Sequence, residues 1–404
     1  MKRVLVWCVA LALPAAATAD WPQWRGPNRD GVAADPPKEW PAELKQVWKV
    51  EVGEGHSGPV IADGRVFTLT RVGDEEVVRA AKLTDGSEVW AKRYKASADL
   101  DGAVGWHGQI PRSTPCVADG RVYTFGVSGV LVCWDAATGK ELWRNTFEKA
   151  FPKPYPVFGT ATSPVVHGGK VIVWAGGKGK GALTALDART GGEKWTLPVD
   201  GPGYASPVVA KIAGTEQLVT QSQGLLLGVD PTSGKELWRQ KFTTGYEQNS
   251  VTPLVVGDVI VNSGYQTSLK AIEVKKKGAG FALAEKWDVR EHPLYMSSAV
   301  AVGGRLFGLS MADGGTVMAV DLADGDVKWK KGNQGECAAF AVSGGHVLVQ
   351  TDGGKIQVFR ATAKEYEPVR EYTVAGERLW AHPAVDGGTI VVKDKTHLSC
   401  WRAK

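Results

Sequence analysis

Residues 133–143 read CWDAATGKELW, and the same frame returns four more times. Residues 185–195 read ALDARTGGEKW, and residues 228–238 read GVDPTSGKELW. Looser copies are AVDLADGDVKW at 319–329 and AAKLTDGSEVW at 80–90. Each places a small residue a fixed distance before a tryptophan. Self-similarity at a period of tens of residues marks one unit stacked on copies of itself, so it decides the fold before any local reading. Within the unit, apolar and acidic side chains alternate, which sends them to opposite faces of a strand. Asp135, Asp187, Asp230 and Asp321 can accept backbone N–H groups and open a turn. The glycine four residues later supplies the left-handed conformation that a tight connection needs. Trp143, Trp195, Trp238 and Trp329 then fall on the next strand, where a broad ring can cover the neighbouring sheet. No part of the unit asks for chemistry, so the motif reads as architecture.

The pattern A-x-D-x-x-T-G-x-x-x-W resembles the tryptophan-docking repeat of pyrroloquinoline-quinone-type propellers. That superfamily includes the quinoprotein dehydrogenases and the BamB outer-membrane-protein assembly factors. The resemblance covers nearly the whole chain after residue 19. It implies an all-β fold, and both catalytic and non-catalytic members carry the repeat.

Innermost strands are expected to start near Pro59, Pro115, Pro164, Pro207, Pro253, Ala299, Phe340 and Pro383, which makes eight sheets. The tryptophan slot holds Trp90, Trp143, Trp195, Trp238, Trp287, Trp329 and, more loosely, Tyr372. The last repeat, HPAVDGGTIVVKDKTHLSCWRAK, contains three strands and stops. Its fourth is supplied by QVWKVEV at 46–52, with Trp48 in the slot. Closure of this kind removes the exposed edges of an open array. The expected fold is a single eight-bladed β-propeller of four-stranded antiparallel blades spanning 46–404, closed by an N-terminal strand that completes the last blade.

Residues 1–19 read as a secretory signal peptide. Met1-Lys2-Arg3 is a basic start, 4–13 is apolar, and Ala17-Thr18-Ala19 is a small-residue cleavage pattern. The expected location is therefore periplasmic or secreted, with cleavage after Ala19 and no membrane span. Cys8 has no small residues before it and does not read as a lipid-attachment site, a departure from BamB lipoproteins. Removing Lys2 and Arg3 leaves 46 basic against 43 acidic residues, or +3, too weak a bias for a nucleic-acid binder. The four remaining cysteines, Cys116, Cys133, Cys337 and Cys400, read as free thiols. Cys133 and Cys400 occupy the small-residue slot, and Cys116 and Cys133 fall two strand spacings apart, beyond disulfide reach. Residues 20–45, which open DWPQWRGP, read as an extended arm lying on the propeller and pinned by Trp21 and Trp24.

Two connections between blades, 91–114 and 144–163, are much longer than the rest and should form a wall on one face. Long ordered loops are commonly functional. Their candidate contact residues are Trp106, His107, Arg112, Lys153, Tyr155 and Phe158, aromatics beside cations. Shorter loops on that face carry His56, Tyr204, Tyr246, Glu247, Asn249, Tyr295, Met296, Glu336, Trp380 and His382, of which Glu247, Asn249, Tyr295, Trp380 and His382 join the candidates. No metal site is expected, because these polar residues share no compact spacing. The run GGKGKG at 176–181 lacks the ending of a phosphate loop and reads as a hairpin. Lys275-Lys276-Lys277, on the opposite face, reads as a solvated charge run.

A quinoprotein dehydrogenase would imply pyrroloquinoline quinone held against an adjacent-cysteine disulfide, with calcium on Glu and Asn and an Asp as base. This chain has no adjacent cysteines, and only Glu247 and Asn249 could imitate the ligands. No nucleophile motif is present, so no catalytic residue is assigned and no cofactor is expected. The reading favoured is a non-catalytic, monomeric scaffold for a protein partner, as in outer-membrane protein assembly. A quinone- or metal-dependent oxidoreductase is the alternative.

Overall fold

A computed structural model describes residues 20–37, 39–100 and 108–403. The leader 1–19 with Cys8, and the loop residues Trp106 and His107, lie outside the described residues. The described chain folds into eight four-stranded antiparallel sheets that form an eight-bladed propeller. Seven blades are built from consecutive strands: 60–95, 116–145, 165–199, 208–241, 254–289, 300–331 and 338–373, here blades 1 to 7. Blade 8 combines three C-terminal strands with the strand Leu44–Glu51, which pairs antiparallel with His397–Ala403. This closing strand begins two residues earlier than expected. The innermost strand of blade 7 begins at Ala338, also two residues early.

The repeat acts through a bulge. Trp90, Trp143, Trp195, Trp238, Trp287, Trp329 and Trp48 stand opposite Ala80, Cys133, Ala185, Gly228, Ala271, Ala319 and Cys400. In each pair the register shifts beside the tryptophan, so the residue just before it is the extra one. A bulge bends its strand and re-aims the next side chain. Here it turns each indole toward the following blade. The small residue opposite makes room: a Cβ on Gly228 would fall 2.1 Å from the Trp238 ring.

The indole then lands on its neighbour's turn. Gly86, Gly139, Gly191, Gly234 and Gly325 all have φ between +69° and +83°. They lie flat against Trp48, Trp90, Trp143, Trp195 and Trp287, where an added Cβ would meet the ring at 2.5–2.9 Å. Each of these indoles also donates to a carbonyl of the neighbouring blade, as Trp48 does to Leu83 at 3.0 Å and Trp90 to Ala136 at 3.0 Å. The aspartates hold the turns. Asp187 Oδ1 accepts from the Arg189 and Thr190 amides, and Asp230 Oδ1 from Thr232 and Ser233. Asp135 accepts from the Thr138 amide and Asp321 from the Ala323 amide.

Two blades depart. Blade 5 replaces the short turn with a long hairpin, Leu269–Lys277 to Gly280–Val289, so Trp238 has no turn to land on. Its Nε1 donates instead to Gln217 of its own blade at 2.6 Å. In blade 7, Tyr372 stands opposite Ile356 rather than a small residue, and its hydroxyl donates to the Pro41 carbonyl. The four described cysteines are buried and free of disulfides, with Cys133 and Cys400 in the small slot.

The arm takes a different course from the one expected. Rather than lying along the propeller surface, residues 21–33 enter the central channel. Trp21 exchanges both backbone hydrogen bonds with Ile61 of blade 1, and Pro22 accepts from Val117 of blade 2. Arg29 donates to the Ser163 and Pro164 carbonyls of blade 3. Trp24 Nε1 donates to Thr252 of blade 5, and Arg25 to the Ala299 carbonyl of blade 6. Val342 of blade 7 bonds to Gly31 and Ala33. The physical reason is that the innermost strands leave their inward backbone groups unpaired. Buried backbone groups need partners, and the arm provides them. Arg25 and Arg29 are almost fully buried, an uncommon place for a guanidinium. Burial lowers both to a pKa of about 10.

Candidate functional site

The face opposite the Asp-Gly turns carries the connections between blades. Aligning the blades on Pro59, Pro115, Pro164, Pro207, Pro253, Ala299, Phe340 and Pro383 gives one residue per blade three positions earlier. These are His56, Arg112, Ala161, Tyr204, Ser250, Met296, Cys337 and Trp380. All but Cys337 border one cavity of 190 Å³ at the mouth of the channel. Trp24, from the arm, lines it as well. Just below, the blades are laced by hydroxyls. Gly58 N–H donates to Thr114 Oγ1, Thr114 N–H to Ser163 Oγ, and Ser163 N–H to Ser206 Oγ. Thr252 N–H donates to Ser298 Oγ in the same way. This belt fixes the spacing of the residues above it.

The walls are aromatic. His56 stacks on Trp380 with ring centroids 5.4 Å apart and planes 16° apart. The Arg378 guanidinium sits 5.4 Å from the Trp380 ring and is held by Glu336 at 2.8 Å and Asp352 at 3.1 Å. Phe158 meets Tyr204 edge-on at 5.7 Å, and the Tyr204 hydroxyl accepts the Phe158 N–H. Burial pushes that phenol up to about 12. Arg112 donates to the carbonyls of Gly108, Ile110 and Phe158, and burial lowers its pKa. It therefore ties both long loops to the rim. Among the described residues, no aspartate or glutamate lines the cavity.

Beside the mouth is a tyrosine shelf. Tyr246 is 78% exposed and stacks on Tyr265 at 6.0 Å, and Tyr265 packs on Tyr295 at 5.0 Å. The Tyr295 hydroxyl donates to Gln248, itself a cavity residue. Tyr246 has φ +59°, a conformation that is strained for a bulky residue.

The structure separates the residues singled out from sequence. Arg112, Phe158 and Trp380 line the mouth, and Tyr295 lies on the shelf. Lys153 and Tyr155 join the two long loops: Lys153 pairs with Asp99 at 2.7 Å, and the Tyr155 hydroxyl accepts the Asp99 N–H. Glu247 is exposed and reaches Lys178 at 3.5 Å. Asn249 is not at the rim. It is fully buried, its amide donating to the carbonyls of Ser222, Gln223 and Phe242. His382 is not at the rim either. It is buried with its ring 4.4 Å from Trp24, and burial beside Arg25 pulls its pKa down to about 3. Residues 176–181 form a hairpin in which Gly177 pairs with Lys180, and the Gly179 amide donates to Gln223. Sequence reasoning gave Trp24 no place at the mouth and missed Ala161 and Ser250. The positional register of the repeats carried the signal for the last two.

The quinone-with-calcium arrangement does not fit these residues. The Asn249 amide nitrogen is spent on three carbonyls while its buried Oδ1 has no partner, but Glu247, the carboxylate that would share a calcium with it, is exposed and turned to Lys178, and no described residue lining the cavity is a carboxylate. Among the described residues, no group of three His, Cys, Asp or Glu side chains is placed to hold a metal ion.

The family described as outer membrane protein assembly factor BamB matches residues 74–331 and 284–399. The chain belongs to this BamB family. It is 25% identical to the outer membrane protein assembly factor BamB of Burkholderia pseudomallei, over 79% of this chain and 88% of that protein. It is also 30% identical to the quinohemoprotein alcohol dehydrogenase of Comamonas testosteroni, over 61% of this chain but 42% of the enzyme. The crystal structure of BamB from Moraxella catarrhalis superposes with a TM-score of 0.66 at 16% identity, covering 89% of this chain and 99% of that one. That likeness concerns the fold.

Proposed function

We propose that this chain is an exported, non-catalytic propeller that binds a protein partner through its channel-mouth face. It would act as an assembly factor of the BamB kind in the periplasm or outside the cell. The observation that carries this reading is the shelf of Tyr246, Tyr265 and Tyr295 opening onto an apolar cavity that has no carboxylate among its described lining residues. Exposed aromatics around a desolvated pocket are the composition of interaction hot spots, and monomeric surfaces rarely leave them uncovered without use. Family membership supports the assembly role. The oxidoreductase alternative gains nothing from the mouth, whose donors do not suit a calcium-bound quinone. No described helix is long and apolar enough to cross a membrane, and a net charge this small does not favour nucleic acid.

The test is photo-crosslinking in the native host, with a crosslinking amino acid placed at Tyr246 on the mouth or at Lys276 on the opposite face. One discrete partner captured at 246 and absent at 276 is expected. The same capture from both faces, or from 276 alone, would refute the choice of face.

A further inference from the structure

We infer that the mouth cavity is a socket for a single uncharged aromatic side chain, presented by an extended segment of the partner. This rests on the mouth being the partner face, as proposed above. Size is the first argument. An apolar cavity of about 150 Å³ accepts one benzene ring, whereas pockets for drug-sized ligands start at about 300 Å³. At 190 Å³ the cavity suits one side chain, and His56 and Trp380 divide it from a second cavity of 590 Å³ lined by Glu54, Glu377 and Asp394.

Wall chemistry is the second argument. Trp380 and Phe158 present rings, and Met296 adds a polarisable thioether that favours aromatic neighbours. None of the described residues lining this cavity is a carboxylate that could receive a cation. The one guanidinium, Arg112, donates to three carbonyls. A charged occupant would lose its hydration without gaining a partner, which is costly.

Access is the third. Trp24 and the arm behind it close the channel side, with Arg29 fastened to blade 3 and Arg25 to blade 6. The occupant must enter from the open face. The tyrosine shelf lies on one side of the mouth only, by blades 5 and 6, and Met296 joins it to the cavity. A peptide backbone laid along that shelf can drop one side chain into the socket.

The experiment uses the full mature chain and capped pentapeptides Gly-Gly-Xaa-Gly-Gly with Xaa as Trp, Tyr, Phe, Leu or Ala. The free rings indole and p-cresol, and pyrroloquinoline quinone, are run beside them. Binding is read by saturation-transfer NMR. The aromatic peptides are expected to bind at least tenfold tighter than the alanine peptide and than the free rings. Filling the socket with Ala161→Trp, or separately with Met296→Trp from another blade, is expected to abolish that preference while circular dichroism stays unchanged. Met296 is 38% exposed, so its replacement does not threaten the fold. Equal binding of the aromatic and alanine peptides, tighter binding of the free rings or of the tricyclic quinone, or full binding by a folded socket-filled variant would each overturn the proposal. Crosslinking from position 246 separates the two readings. If both filled variants still capture the same partner there, the face stands and the socket falls. If the unaltered chain captures nothing there, the face itself is wrong.

Discussion

Gly120 and Gly139 offer a controlled measurement of what one docked indole is worth. Both belong to blade 2, and both have φ +69°. A Cβ on Gly120 would meet nothing within 4 Å, whereas one on Gly139 would fall 2.6 Å from the Trp90 ring. Gly120→Ala therefore carries only the cost of a left-handed residue with a side chain, about 1–2 kcal/mol. Gly139→Ala carries the same cost plus the displacement of Trp90. That ring cannot simply withdraw, because its Nε1 is bound to Ala136 at 3.0 Å and Phe67 packs behind it at 6.0 Å. Forcing a methyl group into a filled site costs about 1–3 kcal/mol. The two variants should thus differ by about 1–3 kcal/mol in urea unfolding followed by circular dichroism, at a shared denaturant slope. In a Trp90→Ala background the difference should vanish, since the obstacle is gone. Agreement of the two glycine variants to within about 0.5 kcal/mol, the scatter of neutral surface changes, would show that the contact carries no strain and that the repeat's glycine is kept for its backbone alone.

Three further outcomes are expected. Trp48→Ala should destabilise by about 3–5 kcal/mol, as for other large buried rings, and should raise hydrogen exchange first in His397–Ala403, which pairs with its strand, and in Glu75–Lys82 and Glu88–Lys95, which flank the turn it covers. Gln217→Leu should cost about 1–3 kcal/mol by leaving the buried Trp238 N–H unpaired, measurable by the same urea titration. Asp386 is pushed up to about 6 by burial, with Asp20 and Asp35 adding to the effect. A carboxyl raised in the folded state favours folding below its unfolded pKa, and that contribution is lost as pH climbs to about 6. Asp386→Asn should therefore stabilise the chain at pH 7 and leave it unchanged near pH 3.5. Because Asp386 is half-exposed, screening reduces the gain to the order of 1 kcal/mol. A larger gain at the acid end would reverse the assigned sign.

The fold was legible because its determinants are local and repeated. The small residue, the aspartate, the glycine and the tryptophan sit within one short window, and seven of eight blades keep the tryptophan. Even the seam could be read, since the last repeat lacked a strand and Trp48 offered one. The arm's destination was not legible. Trp21, Trp24, Arg25 and Arg29 have no periodicity, and their partners at Ile61, Thr252, Ala299 and Pro164 are mostly backbone groups, which every residue type shares. Composition argues against burying arginine, so that placement emerges only once the ring of unpaired inner strands exists. The site was half legible. His56, Tyr204, Met296 and Trp380 could be assigned to the correct face, but their convergence depends on the one position they share in each connection between blades. Asn249 and His382 were misplaced because loop membership does not specify which way a side chain turns. Lys153 and Tyr155 look like contact residues until Asp99 arrives from the other long loop.

The seam has a consequence for how the chain is made. Leu44–Glu51 leaves the ribosome before the other strands of the propeller, yet its partner strand His397–Ala403 follows only after seven blades have been made. Until then it is an orphan edge, the kind of segment that recruits strands from other molecules. Lys45, Lys49 and Glu51 are exposed or half-exposed along it, and such charges discourage foreign pairing. The eighth sheet thus trades an early risk of aggregation for a late topological commitment, and the three charged side chains guard the interval.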